Sequence, residues 1–236
     1  MRKVIWLALI AVPVILVLTA PARVVVSLVD APDNLREVQG SLWRGSARWY
    51  QPEHGPLFVN WRWQPPRTLL WEATGVETAV SGQLHLATGP VRLEAIQGVV
   101  DIDRVDLAHW LAFTRPRGIL ELDLDYLVLD AGQPPRSSGL VYWDQARLEG
   151  AVHERLGRIQ MKLSDEPEGQ RADIETVDRA PILVRGSLEL DGDGYEVDLW
   201  LRADRTRPDL TGQLAQLGEL QPDGQVRIRQ RGALGW

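Results

Sequence analysis

The sequence predicts a mainly β protein, in which a single N-terminal transmembrane helix precedes a curled antiparallel β-sheet domain with one short helix. Three observations support this fold class. A long apolar run, Val4 to Ala20, occurs only at the N-terminus. Short segments of alternating apolar and polar residues, punctuated by glycine, follow it. One segment, Asp103 to Phe113, has apolar residues at helical spacing instead, which predicts the short helix.

The apolar run can serve as a membrane anchor or as the core of a cleaved signal peptide. Its length is at the short end for a membrane span. Ala20-Pro21-Ala22 offers the small-x-small pattern that signal peptidase cuts. An uncleaved membrane anchor is favoured because the run is longer than the usual signal-peptide core of about 7–15 residues. The apolar character also resumes after Arg23 as Val24, Val25 and Val26.

The charges beside the run predict its orientation. Arg2 and Lys3 precede it, and positive residues stay on the cytoplasmic side. We therefore expect a cytoplasmic stub at residues 1–3 and a transmembrane anchor at 4–22 that contacts membrane lipid. The β-rich domain, residues 23–236, is then periplasmic, and the protein is a single-pass inner-membrane protein.

Period-two alternation predicts the strands of that domain. In the segment from Gly118 to Asp125, leucines alternate with acidic residues, which is typical of a half-buried antiparallel strand. Asp191-Gly192-Asp193-Gly194 joins two further alternating runs and predicts a β-hairpin. A glycine begins several predicted strands, where it permits a tight entry or a bulge. These glycines are Gly40, Gly82, Gly118, Gly139, Gly186, Gly212 and Gly224.

Composition and motifs provide little that points to catalysis. The formal net charge of −6 lacks the basic footprint of a nucleic-acid-binding protein. The four histidines have no ligand spacing and the chain has no cysteine, so neither a metal nor another cofactor is expected. Glu121, Asp123 and Asp125 share one strand face, which is best interpreted as a solvated surface. We expect no enzymatic activity.

Tryptophan is the enriched residue type, with ten in the chain, five of them between Trp43 and Trp71. Trp61 and Trp63 lie on one strand face at period two. Packing in a β core or at a membrane interface explains such a set, and so does a platform for stacking a ligand. The sequence favours packing and leaves ligand stacking open.

Together these features resemble the type II secretion system protein N family, also called general secretion pathway protein N. The early strand Val38-Gln39-Gly40-Ser41-Leu42-Trp43-Arg44-Gly45-Ser46-Ala47 is similar to a G-x-x-W-x-G-x-A pattern of that family, and Trp61-Arg62-Trp63-Gln64 to its tryptophan-bearing strand. The tail is the closest part. It comprises Val184-Arg185-Gly186-Ser187-Leu188, the hairpin, Leu210, Leu217-Gly218, Gly224-Gln225-Val226-Arg227-Ile228 and Gly232-Ala233-Leu234.

The resemblance implies a structural or accessory component of the machine that exports folded proteins across the outer membrane. Its partners are then other secretion components in the inner membrane and periplasm. The family-like structural motif comprises Gly40, Trp43, Gly45, Trp61, Trp63, Gly186, Gly218 and Gly224. The same motifs occur loosely in AsmA-like envelope proteins, so the alternative is a membrane-anchored periplasmic protein that binds lipid or another hydrophobic ligand.

Overall fold

The computed structural model describes residues 21–22, 34–51, 55–87, 89–102, 114–150, 153–167 and 169–233. This part of the chain contains fourteen strands, and every strand pairing in it is antiparallel. The predicted mainly β class is thereby confirmed. The chain divides into two compact units, residues 1–76 and residues 77–236.

The first unit is a meander of four strands, in which each strand pairs with the next. Alternate residues of β3 are half-buried and exposed. Leu57, Val59, Trp61 and Trp63 thus share one face, as the period-two pattern requires. The strands are β1 (Leu35–Gly40), β2 (Arg44–Gln51), β3 (Gly55–Gln64) and β4 (Thr68–Gly75).

The second unit contains the other ten strands. From β5 to β12 each strand lies beside the next one in sequence, and the order then changes to β12-β14-β13. These strands are β5 (Thr78–His85), β6 (Val91–Asp101), β7 (Thr114–Leu129), β8 (Arg136–Gly150), β9 (Glu154–Glu166), β10 (Gly169–Thr176), β11 (Ile182–Leu190), β12 (Gly194–Ala203), β13 (Glu219–Leu220) and β14 (Val226–Ala233). The predicted hairpin is present, because Leu190 of β11 pairs with Tyr195 of β12.

A short helix, α1 (Asp209–Leu214), lies between β12 and β13. Leu210 and Leu214 are one helical turn apart and each is only 1% exposed. They pack with apolar residues of the sheet, including Ile182 and Val226, to form the core of the second unit. Arg207 precedes the helix and pairs with Glu154 of β9 at 3.1 Å, which helps to fix the helix on the sheet.

Two sequence expectations about glycine meet different outcomes. Gly82 and Gly118 lie within strands at register shifts, where a bulge interrupts the pairing. At Gly118 the φ of +130° and the neighbouring Asp144 carbonyl exclude a side chain. The expectation that these glycines begin strands is wrong, since Gly40 ends β1 and Gly139 and Gly186 lie inside β8 and β11. Gly212 lies inside α1 and belongs to no strand. The burial of Leu210 and Leu214 against the sheet determines the local structure there.

The short helix that the sequence predicts, Asp103 to Phe113, and the predicted membrane anchor up to residue 20 lie outside the described residues. Among the residues that the structure describes, no helix combines the length and apolar character needed to cross a membrane.

Candidate functional site

The first half of the family-like motif builds one turn and one aromatic cluster in the first unit. Gly40 ends β1 with φ +82°, a conformation in which glycine is favoured. The chain then turns, and the Ser41 amide donates to the Arg44 carbonyl at 2.9 Å. The Ser41 hydroxyl accepts hydrogen bonds from the amides of Trp43 and Arg44 at 3.3 and 3.2 Å. The turn places Trp43 and Gly45 beside β3.

Trp43, Trp61 and Trp63 are brought together by this turn. The rings of Trp43 and Trp63 meet edge to face, with centroids 5.4 Å apart and planes at 75°. Trp61 lies on the same face of β3 and donates its indole Nε1–H to the Ser41 carbonyl at 3.2 Å. All three side chains are half-buried. The arrangement is a packed aromatic cluster in which the indole of Trp61 also closes the turn.

The other half of the motif lies in the second unit. A Cβ on Gly186 of β11 would lie 2.0 Å from the Asp198 carbonyl oxygen of β12. A Cβ on Gly218 would lie 2.4 Å from the Arg227 carbonyl oxygen. Gly224 has φ +81° and open space around it, in the turn between β13 and β14. Two of these glycines permit close approach of strands, and the third permits a turn.

The acidic residues of β7 do not form a cluster. Glu121 accepts a hydrogen bond from Arg158 at 2.7 Å, Asp123 from Gln97 at 3.1 Å and Asp125 from Ser138 at 3.1 Å. Each carboxylate is therefore part of a separate cross-strand pair. Within the described ranges, no group of three His, Cys, Asp or Glu residues could hold a metal ion.

A cavity of about 580 Å³ lies at the strand ends of the second unit, where the β7–β8, β9–β10 and β11–β12 connections meet. Its lining includes Asp130, Arg136 and Asp165. Asp165 accepts a hydrogen bond from the Tyr126 hydroxyl at 3.1 Å and lies 3.8 Å from a guanidinium nitrogen of Arg136. The polar groups in this cavity thus contact one another.

The last two long strands carry a row of paired charges. Arg227, Arg229 and Arg231 alternate along β14 and face the acidic residues of β12. The Arg227 guanidinium binds Asp198 in a bidentate pair, with Nε 2.8 Å from Oδ1. Glu196 pairs with Arg231 and also with Arg229, at 3.4 Å.

These ion pairs shift the acidity of the carboxyl groups on β12. The hydrogen bond from Arg227 holds the pKa of Asp198 below its ordinary value, and the nearby charges of Arg227 and Arg229 act in the same direction. The hydrogen bond from Arg231 lowers the pKa of Glu196 similarly. Arg227 also lies 4.9 Å from the ring centroid of Trp200, a cation–π contact. Both carboxylates are therefore ionised at neutral pH.

A model of the type II secretion system protein N family matches residues 33–229. The match covers most of the chain and includes all eight residues of the family-like motif. This chain belongs to the type II secretion system protein N family. The resemblance found in the sequence is thereby confirmed, and the protein is a component of a type II secretion system. Searches of curated proteins and of solved structures each gave no match.

Family membership and geometry together identify what the sequence interpretation missed. The arginines of β14 were not singled out, although Val226-Arg227-Ile228-Arg229-Gln230-Arg231 alternates at period two. That signal identifies a strand with one charged face. Its place beside β12 depends on the chain crossing after α1, and among the described strands only the two residues of β13 lie on its other side.

Proposed function

We propose that this secretion protein N is an accessory, structural component that takes part in export of folded proteins across the outer membrane. Its role is to contact other components in the inner membrane and periplasm rather than to catalyse a reaction. The family match over residues 33–229 carries the proposal. The motif residues support it, because Gly40, Gly45 and Trp61 form packing and turn contacts rather than a reactive group.

The proposal includes a location. Residues 1–3 lie in the cytoplasm, residues 4–22 cross the inner membrane and residues 23–236 lie in the periplasm. The apolar run at the N-terminus and the positive residues Arg2 and Lys3 support this topology. The intact mass of the protein purified from membranes tests it, since cleavage after Ala22 removes the whole anchor and contradicts the proposal.

Secretion in a clean deletion strain tests the role. Without the gene, folded exoproteins should accumulate in the periplasm, and a plasmid copy should return them to the medium. The measurement compares the activity of one secreted enzyme in medium, periplasm and cytoplasm. A cytoplasmic marker enzyme controls for lysis. Unchanged secretion in the deletion strain contradicts a required role in export.

A second candidate function is binding of lipid or another hydrophobic ligand, as in AsmA-like envelope proteins. One observation favours it. Away from α1, the apolar face of the second unit is incompletely covered, because Leu122, Leu163 and Leu188 are only half-buried in the described structure. Such a face can contact acyl chains.

Native mass spectrometry separates the two candidates. The full-length protein is extracted in a detergent that retains bound lipid and is released from the micelle in the spectrometer. Lipid adducts that disappear in Leu163→Asp, on the uncovered face, support ligand binding. A matched change on the other face of the sheet, here called the outer face, is Ser187→Asp. It controls for the added charge. Adducts of equal abundance in both variants reflect lipid around the anchor only.

A further inference from the structure

The direction of the backbone groups in β14 can be derived from the hairpin. The Asp191 amide donates to the Gly194 carbonyl at 3.0 Å, so the polar backbone groups of Gly194 face β11. These groups alternate in direction along an antiparallel strand. The residues of β12 that bond to β14 are therefore the odd-numbered ones. Their partners on β14 are Val226, Ile228, Gln230 and Gly232.

The remaining residues of β14 direct their backbone groups away from β12. The backbone groups of Arg227 face β13, in which Glu219 is the paired residue. Beyond that position, no strand of the described structure pairs with this side of β14. The N–H and C=O groups of Arg229, Arg231 and Ala233 therefore form an open edge, here called the arginine edge. An unpaired row of this kind is a template for an added strand.

The edge strand of the first unit, β1, is paired irregularly, unlike β14. The pairing of β1 with β2 shifts register between Arg36 and Gln39, and Glu37 has φ +53°. Bulges of this kind protect an edge from adding strands. By contrast, β14 pairs with β12 over eight consecutive residues without a shift. The backbone of β14 along the arginine edge is therefore regularly paired, as strand addition requires.

Charges on the outer face indicate what the arginine edge binds. Arg227 forms an ion pair with Asp198 on β12 and has the acidic Glu219 as its register partner on β13. On the β12 side, Arg229 lies 3.4 Å from Glu196 and 4.0 Å from Asp198, and Arg231 pairs with Glu196. The side chains of Arg229 and Arg231 are nevertheless 61% and 77% exposed. An added strand with an acidic residue directly opposite each of these two arginines would place its carboxylates as Glu219 of β13 is placed opposite Arg227.

The opposite face of β14 indicates which side chains alternate with the acidic residues in the added strand. Ile228 packs against the hydrophobic core. The Tyr195 hydroxyl accepts a hydrogen bond from Gln230 at 3.0 Å, and its ring covers Gly232, where a Cβ would lie 2.5 Å from it. Side chains that an added strand directs to this face beyond β13 lie beside Gln230 and Gly232, where the Tyr195 ring provides an aromatic surface. Apolar side chains suit these positions.

We propose that the arginine edge binds an extended segment of another secretion component in which acidic and apolar residues alternate. The segment adds as a strand beside β14 and continues the line begun by β13. Its backbone pairs with Arg229, Arg231 and Ala233, and its acidic side chains lie opposite the two arginines. That the segment belongs to a secretion component rests on the proposed function. That the edge binds an alternating acidic and apolar strand rests on the contacts of β14 alone.

A defined peptide tests the chemistry of the edge. The probe is a dye-labelled peptide of eight residues that alternates glutamate and valine, and the comparison peptide has lysine in place of glutamate. Fluorescence anisotropy measures binding of each to the full chain in nanodiscs at low salt. The glutamate peptide should bind at least tenfold more tightly than the lysine peptide. Equal binding of both, or no saturable binding of either, overturns the proposal.

Three variants locate the binding. Arg229→Glu should weaken binding of the glutamate peptide by about tenfold, from loss of one charge pair and gain of a repulsion. Arg185→Glu on the outer face of β11 makes the same charge change away from the edge and should leave binding unchanged. Arg231→Pro removes an N–H that points away from β12, so it should abolish strand addition and preserve the circular dichroism spectrum. Equal losses in Arg229→Glu and Arg185→Glu overturn the assignment.

Secretion then distinguishes failure of this inference from failure of the proposed function. The deletion strain is complemented with the wild type, Arg231→Pro or Arg185→Glu, each at equal protein level. If only Arg231→Pro fails to restore export, the edge has a role in secretion. If all three restore export, the proposed function stands and the role of the edge is overturned. If deletion itself has no effect, the proposed function fails whatever the peptide result.

Discussion

The indole ring of Trp61 lies over Gly45, its cross-strand neighbour on β2, at a distance that leaves no room for a side chain. A Cβ on residue 45 would fall 2.4 Å from Cζ2 of the ring and 2.5 Å from the Gln39 carbonyl oxygen. Because the oxygen belongs to the backbone of β1, rotation of the indole alone cannot relieve the contact. Glycine at this position therefore lets three strands and a tryptophan pack together.

Gly45→Ala should consequently destabilise the protein. Overpacking by one methyl group typically costs about 1–3 kcal/mol. Urea denaturation of the full chain, followed by circular dichroism, measures the free energy of unfolding. Gly192→Ala is the matched control, because a Cβ there meets nothing within 4 Å. Equal stability of the two variants would show that the close approach at residue 45 has no energetic consequence.

The two facing tryptophans Trp61 and Trp71 should respond differently to replacement by phenylalanine. Trp61 donates to the Ser41 carbonyl, whereas the Nε1 of Trp71 is buried and has no hydrogen-bond partner among the described residues. Trp61→Phe loses a bond, while Trp71→Phe removes an unsatisfied donor. We expect Trp61→Phe to cost about 1 kcal/mol more than Trp71→Phe. The opposite order in urea denaturation contradicts the assigned bonding.

Local patterns explain which parts of the fold were predictable. The Asp191–Gly194 hairpin was predictable because two Asp-Gly pairs stand between two alternating segments, all within a short stretch. The helix α1 was missed because the glycine at 212 suggested a strand, although Leu210 and Leu214 have helical spacing. The packing of those two leucines on distant strands outweighs the low helix propensity of glycine.

The candidate site was less predictable because it depends on strand order. The resemblance to the family singled out the motif from Gly40 to Gly45, whose tryptophan and glycines interact across adjacent strands of the first unit. The alternation of Arg227, Arg229 and Arg231 is equally local. Whether β14 is a central or an edge strand is decided by where the chain goes after β12, which periodicity does not report.

Gln170 should be one of the least replaceable polar residues in the second unit. It is 6% exposed, and its Oε1 accepts bonds from the amide and hydroxyl of Ser137. Its Nε2 donates to the carbonyls of Ser164 and Arg171, at 3.0 and 3.1 Å. The side chain thus links β8, β9 and β10 with every polar atom used.

Gln170→Leu keeps a similar volume but leaves the buried Ser137 amide and two carbonyls without this partner. The expected loss in the free energy of unfolding is about 1–3 kcal/mol, measured by urea denaturation. Gln213→Leu, on the exposed side of α1, is the control and should change stability little. A loss in the control as large as that in Gln170→Leu would attribute the effect to the added leucine.

The ion pair between Asp198 and Arg227 should make stability depend on acid pH. The pKa of Asp198 in the folded protein lies below its ordinary value of 3.8. The stabilisation is therefore complete above about pH 4 and disappears as the pH falls through the lower folded-state pKa. Asp198→Asn should lower the melting temperature at pH 7 but have little effect near pH 2.

Melting temperatures across pH 2–7 check this prediction. Asp193→Asn, in the β11–β12 turn, removes the same charge away from the arginines and is the control. A loss in Asp198→Asn that is equal at both ends of the pH range contradicts a role for the ionised pair. The measurement should be made at low salt, because these side chains are partly exposed and salt screens them.

The helix α1 should contribute to the core out of proportion to its length. Leu214 is 1% exposed and packs against the sheet, whereas Leu220 in β13 is 54% exposed. Leu214→Ala removes buried methyl groups and leaves a cavity, which costs about 2–5 kcal/mol. Leu220→Ala makes the same chemical change with little loss of burial, so its free energy of unfolding should stay close to that of the wild type.

Since Leu217 and Gly218 connect the helix to β13, loosening α1 should also expose the Arg227 side of β14 to hydrogen exchange before the β11–β12 hairpin. Uniform exchange across both regions in Leu214→Ala would contradict that order.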